Sequence, residues 1–155
     1  MNAGDAITPE GLEALKHELH ELETTGRAAM AERISAARSL GDLKENAEYH
    51  IAKDDQAHLE TKIKRLRQRL RDAVIVEADT SSDTFDFGRT AAVTDETTGQ
   101  THEWTIVGAT EADLKAGKLS AESPVAQALV GSKPGDVVSV ETPRGERRYR
   151  VERLV

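Results

Sequence analysis

No cysteine occurs among the 155 residues, which excludes disulfide frameworks, thiolate metal sites and cysteine nucleophiles. The absence fits a reducing compartment. Aromatic side chains are scarce too: besides Tyr49 there are only Phe85, Phe87, Trp104 and Tyr149, too few to expect an aromatic-lined proline pocket. No stretch approaches the roughly 18 apolar residues of a membrane span, and Met1 to Ala6 lack a basic region followed by an apolar core. The chain therefore reads as soluble and cytoplasmic, with no membrane partner. It has no glycine-rich phosphate loop, and His17, His20, His50, His58 and His102 repeat no zinc-motif spacing. Net positive charge is missing as well. A formal charge of -7 argues against coating nucleic acid through the overall field, so any nucleic-acid contact should be local.

What is present is helical at the start. Thr8 before Pro9 and Glu10 has the form of an N-cap followed by proline at the first helical position. Leu12, Leu15, Leu19 and Leu22 then alternate spacings of three and four, the stripe of one helix face. Gly26 interrupts this stripe without ending it. Met30, Ile34, Ala37 and Leu40 carry it on until Gly41, which suits a left-handed C-terminal residue. A second helix is expected from about Leu43 to Ala73, with Ala47, Ile51, Leu59, Ile63, Leu66 and Leu70 on its apolar side.

Two narrow stripes joined by a tight connection bury each other best as an antiparallel hairpin. At about 1.5 Å per residue, an arm of roughly 30 residues reaches about 45 Å, so the tip near residues 41–46 is expected to project. Because an intramolecular hairpin uses up the leucine stripe, a monomer is expected. A coiled-coil dimerisation module would instead leave that stripe for self-association.

The helical period stops after Val76, and Thr80, Ser81, Ser82 and Asp83 form a polar linker. Strands are expected over Phe87–Thr94, Glu103–Val107, Asp136–Glu141 and Arg147–Leu154, with a turn at Thr142, Pro143, Arg144 and Gly145. Ser123 and Pro124 repeat the cap-and-proline pair before a short helix over Val125–Val130, closed by Gly131. The fold class is therefore α+β in two domains: residues 1–78 a helical coiled-coil hairpin, residues 79–155 a small globular domain.

Chemistry is concentrated in the hairpin connection. Asp42 and Glu45 lie three residues apart. Their oxygens suit a hard cation such as Mg2+ and leave coordination positions for water and phosphate. The same spacing also resembles a capping box at a helix N-terminus, and the two readings are compatible. A basic run, Lys62, Lys64, Arg65, Arg67, Arg69 and Arg71, reads either as a solvated helix face or as a contact with RNA or a protein partner.

The run Gly41, Asp42, Leu43, Lys44, Glu45, Asn46, Ala47, Glu48, Tyr49, His50 resembles the tip signature of the GreA/GreB family of transcript cleavage factors, and GreA is the nearer of the two. Ser123 to Gly131, with Gly135 and Asp136, resembles that family's globular-domain motif, and the similarity runs from about Ile7 to Val155. The resemblance implies a coiled coil inserted through the secondary channel of bacterial RNA polymerase and an FKBP-like C-terminal domain docked at the channel rim.

On that resemblance Asp42 and Glu45 are the catalytic pair. They are expected to hold Mg2+ jointly with the polymerase and to position the water that cleaves backtracked nascent RNA near its 3' end. The isolated protein would hold no metal of its own, and it would be an accessory factor rather than an enzyme. Leu43, Lys44, Asn46 and Tyr49 are expected to support the tip, although Tyr49 equally suits a half-buried spacer between the arms. Glu122, Ser123 and Pro124 are expected to dock on the polymerase, with helix capping by Ser123 as the plainer role. A secondary-channel regulator that does not cleave is the alternative function. A prolyl isomerase or chaperone is a further one, disfavoured by the aromatic count.

Overall fold

Thr8 begins the first helix as its sequence context demands: its hydroxyl accepts the Gly11 amide at 3.0 Å, and Pro9 occupies the first helical position. The computed structural model describes residues 5–42 and 45–155. Helix α1 covers Pro9–Glu21 and passes through a π-helical turn, Leu22–Gly26, into α2, Arg27–Arg38. Helix α3 covers Ala47–Asp72.

The π turn answers an irregularity in the stripe. From Leu22 to Gly26 to Met30 the steps are four and four, one residue more than a heptad allows. A wider turn takes up the surplus residue, so Ile34 and Ala37 stay buried with Leu15 and Leu19. On α3 the buried positions are Ala52, Ile63 and Leu66. Ile51 is 56% exposed, against expectation, and Ala52 at 1% takes the seam. Ala52 lies seven residues before Leu59 and so continues its heptad, whereas Ile51 falls one residue, about 100°, off that line. Leu40, the last expected stripe residue, is beyond the helix and 64% exposed.

Ion pairs tie the arms together. Arg27 forks onto Glu60 at 2.8 and 3.1 Å, and Arg33 reaches Asp55 at 2.9 Å. The Arg27 guanidinium bonded to Glu60 holds that carboxyl below its ordinary range, and Arg67 does the same to Glu23. These pairs keep partial solvent exposure, so each contributes little to stability.

The chain divides into two compact units, Leu12–Asp72 and a second formed by Ala73–Val155 together with residues 5–11. In the second unit β1, Ala6–Ile7, pairs in parallel with β2, Val74–Ile75. Strands β3 (Thr90–Asp95), β4 (Thr101–Val107), β5 (Lys118–Ser120), β6 (Val137–Thr142) and β7 (Gly145–Leu154) form one sheet in the order β5-β4-β3-β7-β6. Only the β4–β5 pairing in it is parallel.

Helix α4, Pro124–Leu129, buries Ala126 and Leu129 against Phe85, Val93, Trp104, Ile106, Tyr149 and Val151. Three of the scarce aromatics are thereby spent on the core. Expected strands and helix are present with shifted ends, and β3 starts at Thr90 rather than Phe87. The strands β1, β2 and β5 leave no mark in the sequence, because two or three residues carry no alternation to read.

Candidate functional site

The reversal between α2 and α3 is built by hydrogen bonds at both helix ends. The Ser39 amide reaches back to Ser35 and Ala36 carbonyls at 3.3 and 3.2 Å, and its hydroxyl donates to Ala36 at 2.6 Å. Leu40 N–H bonds the Ala37 carbonyl at 3.2 Å, a three-residue step that tightens the last turn. Gly41 follows at φ +126°, a backbone conformation that side chains with a Cβ rarely adopt, and turns the chain away from α2.

The capping-box interpretation of Asp42 and Glu45 gives way to a different cap. Helix α3 begins at Ala47 rather than near residue 43, and Asn46 accepts the Tyr49 amide on Oδ1 at 3.1 Å. Asn46 Nδ2 also donates to the Ala37 carbonyl across the arms. Asparagine is among the best N-caps, and here it claims the helix start. Glu45 stands before the cap and cannot complete a box within the helix.

Asp42 and Glu45 are both exposed, and the Glu45 amide donates to the Asp42 carbonyl at 3.3 Å, so one turn carries both carboxylates. Oxygen donors on an open turn fit a hard, largely hydrated cation. Among the described residues no three His, Asp or Glu side chains gather as a metal site. Leu43 and Lys44 lie outside the described residues. Tyr49 is half-buried, with the Arg38 guanidinium 5.7 Å from its ring centroid.

Other expected residues are spread elsewhere. In the basic run Lys62 pairs with Glu18 at 3.3 Å and Arg67 with Glu23 at 3.2 Å, so two of these cations bind the opposite arm. Lys64, Arg65 and Arg69 are exposed. Ser123 caps α4, accepting the Ala126 amide at 3.2 Å and donating to the Ser120 carbonyl at 2.7 Å. Beside it Glu122 and Pro124 are exposed. No helix in the described residues is long and apolar enough to cross a membrane.

Two family profiles match almost end to end: "Transcription elongation factor, N-terminal" over residues 6–75, and "Transcription elongation factor, GreA/GreB, C-term" over residues 80–154. The chain belongs to the GreA/GreB family of transcription elongation factors. Within the GreA/GreB family, it is 44% identical over 146 residues to transcription elongation factor GreA of Rhodospirillum rubrum, covering 94% of this chain and 93% of that protein. To GreA of Thermoanaerobacter pseudethanolicus it is 49% identical over 146 residues, with the same two coverages of 94% and 93%. Among solved structures, GreA factor homolog 1 of Thermus thermophilus is similar at 27% identity and a TM-score of 0.43, with 97% of each chain covered.

The carboxylate pair is legible in the sequence at the turn between the arms, whereas Asn46 reads there only as general support for the tip. Its signal was the cap-forming residue type directly before Ala47, masked by the neighbouring Asp-x-x-Glu spacing.

Proposed function

We propose that this GreA/GreB family member is an accessory factor in the bacterial cytoplasm, one that enters the secondary channel of RNA polymerase as a monomer. There it stimulates the polymerase's own endonucleolytic cleavage of backtracked nascent RNA and so rescues arrested complexes. The observation that carries this reading is the exposed pair Asp42 and Glu45, displayed on one turn between two ion-paired helices in a chain of this family.

Asp42 and Glu45 would hold Mg2+ together with ligands of the polymerase. A cation so held would screen phosphate charge and lower the pKa of bound water. The two carboxylates of this chain would orient the attacking water, and their negative charge would favour holding a cation near the RNA 3' end. Glu122 and Pro124, exposed beside the Ser123 cap, would contact the channel rim. Alone, two carboxylates make a weak Mg2+ site, so the purified factor should show little nuclease activity without polymerase.

The test uses stalled, backtracked elongation complexes with the full-length protein, Asp42→Asn and Glu45→Gln. Wild type should accelerate RNA cleavage, and both variants should lose most of that acceleration, because charge goes while shape stays. Undiminished stimulation by both variants would sink the role given to the carboxylates. A wild-type protein that binds polymerase without accelerating cleavage would favour a non-cleaving regulator.

A further inference from the structure

The end of α2 and the start of α3 share one shortage. C-terminal carbonyls of the first and N-terminal amides of the second have no partner inside their own helices. One side chain meets both needs. Asn46 Oδ1 accepts the Tyr49 amide at 3.1 Å, and Nδ2 of the same carboxamide donates to the Ala37 carbonyl, which also accepts Leu40 N–H at 3.2 Å. The Asn46 carbonyl in turn accepts the His50 amide at 3.2 Å.

Aspartate has no donor for the second bond, and a serine hydroxyl, which can accept and donate at once as Ser123 does, sits on a shorter stem than the carboxamide that spans from the Tyr49 amide to the opposite arm. A second tie joins the same two turns, where the Arg38 guanidinium lies 5.7 Å from the Tyr49 ring centroid. Asp42 and Glu45 are carried on the segment whose two ends these contacts join.

We infer that Asn46 is a positioning residue for transcript cleavage: by clasping Ala37 to the first turn of α3, it fixes the reversal and hence the geometry in which Asp42 and Glu45 meet metal and water. This inference rests on the function proposed above. Its physical basis is the sensitivity of a reacting centre to placement, where a shift of about 1 Å costs up to about 100-fold in rate. Capping and clasping are separable. Serine keeps the cap and gives up the bond to Ala37, whereas alanine loses both.

Full-length Asn46→Ser is therefore titrated into stalled elongation complexes at saturating Mg2+. The maximal cleavage rate, the factor concentration giving half of it, and the thermal melting of helix ellipticity are all measured. The expected result is a maximal rate lowered about tenfold or more, with the half-saturating concentration within about twofold of wild type and melting unchanged. A merely structural role would move the melting temperature or the half-saturating concentration instead, and either pattern without a drop in maximal rate overturns the inference. So does a wild-type maximal rate in Asn46→Ser. If wild type itself fails to stimulate cleavage, the functional proposal is overturned and the role of Asn46 with it, whereas an active wild type with an equally active variant overturns the role alone.

Discussion

The carbonyl of Ala37 and the carboxamide of Asn46 are hydrogen-bonded across the hairpin, so the end of α2 and the cap of α3 are one construction. This relationship moves the helix start from the acidic pair to the asparagine and separates two properties that the local sequence confounds.

Stability should follow the cap and not the acid. Asn46→Ala is expected to destabilise the hairpin by about 1 kcal/mol or slightly more. Glu45→Ala, exposed and outside α3, should stay within about 0.5 kcal/mol of wild type. Urea unfolding followed by helix ellipticity measures both. Equal losses in the two variants would return the cap to the Asp42–Glu45 pair.

The seam makes a second prediction from two adjacent residues. Ala52 is 1% exposed, so Ala52→Leu overpacks the arms and should cost about 1–3 kcal/mol. Its larger neighbour Ile51 is 56% exposed, and Ile51→Ala should change stability by less than about 0.5 kcal/mol. Thermal melting of the two variants gives the comparison, and a greater loss from Ile51→Ala would mean that the register is off by one residue.

Glu111 should matter far from its place in the sequence. Its carboxylate accepts the Thr8 amide and the Gly108 amide, each at 3.0 Å, and the Thr8 hydroxyl. Glu111→Ala leaves these donors without their acceptor, at an expected cost of about 1–3 kcal/mol. Amide hydrogen exchange should accelerate at Thr8 and Gly108 together. Acceleration at only one would contradict a shared acceptor.

Asp95 predicts acid sensitivity in the second unit. Burial, at 4% exposure, opposes its charged form, but the Thr97 amide at 2.8 Å and Arg147 at 2.8 Å outweigh that, and the carboxyl is held below its ordinary range. A carboxyl depressed in the folded state adds stability above its unfolded pKa of about 3.9, and that stability is lost as pH falls through the lower folded value. Unfolding free energy measured between pH 6 and pH 3 should therefore fall less steeply for Asp95→Asn than for wild type. Parallel slopes would show that Asp95 does not carry the effect.

Much of this fold can be read from local pattern. Thr8–Pro9 and Ser123–Pro124 mark two helix starts because capping is a contact within one turn, and Leu59, Ile63, Leu66 and Leu70 mark the seam because their spacing repeats. What escapes is decided by distance or by competition. Glu111 lies 103 residues from Thr8, and nothing near either residue announces the other. Asn46 competes with an acidic pair whose spacing imitates a cap, and the bond from the Tyr49 amide to Asn46 Oδ1 shows which residue won. The site itself was legible as chemistry, two carboxylates at a turn. Its support depended on a donor and an acceptor meeting across the arms.

The π turn over Leu22–Gly26 gives the first arm some slack. Since it stores the one residue by which that arm exceeds a heptad count, deleting a residue from 23–25 should restore an unbroken α-helix while Ile34 and Ala37 keep their places in the seam. Deleting a residue from 28–33, past the slack, has no such reserve to draw on and rotates the rest of α2 about the helix by about 100°. Arm length is thus tolerant to change at one link of the chain and intolerant at the next.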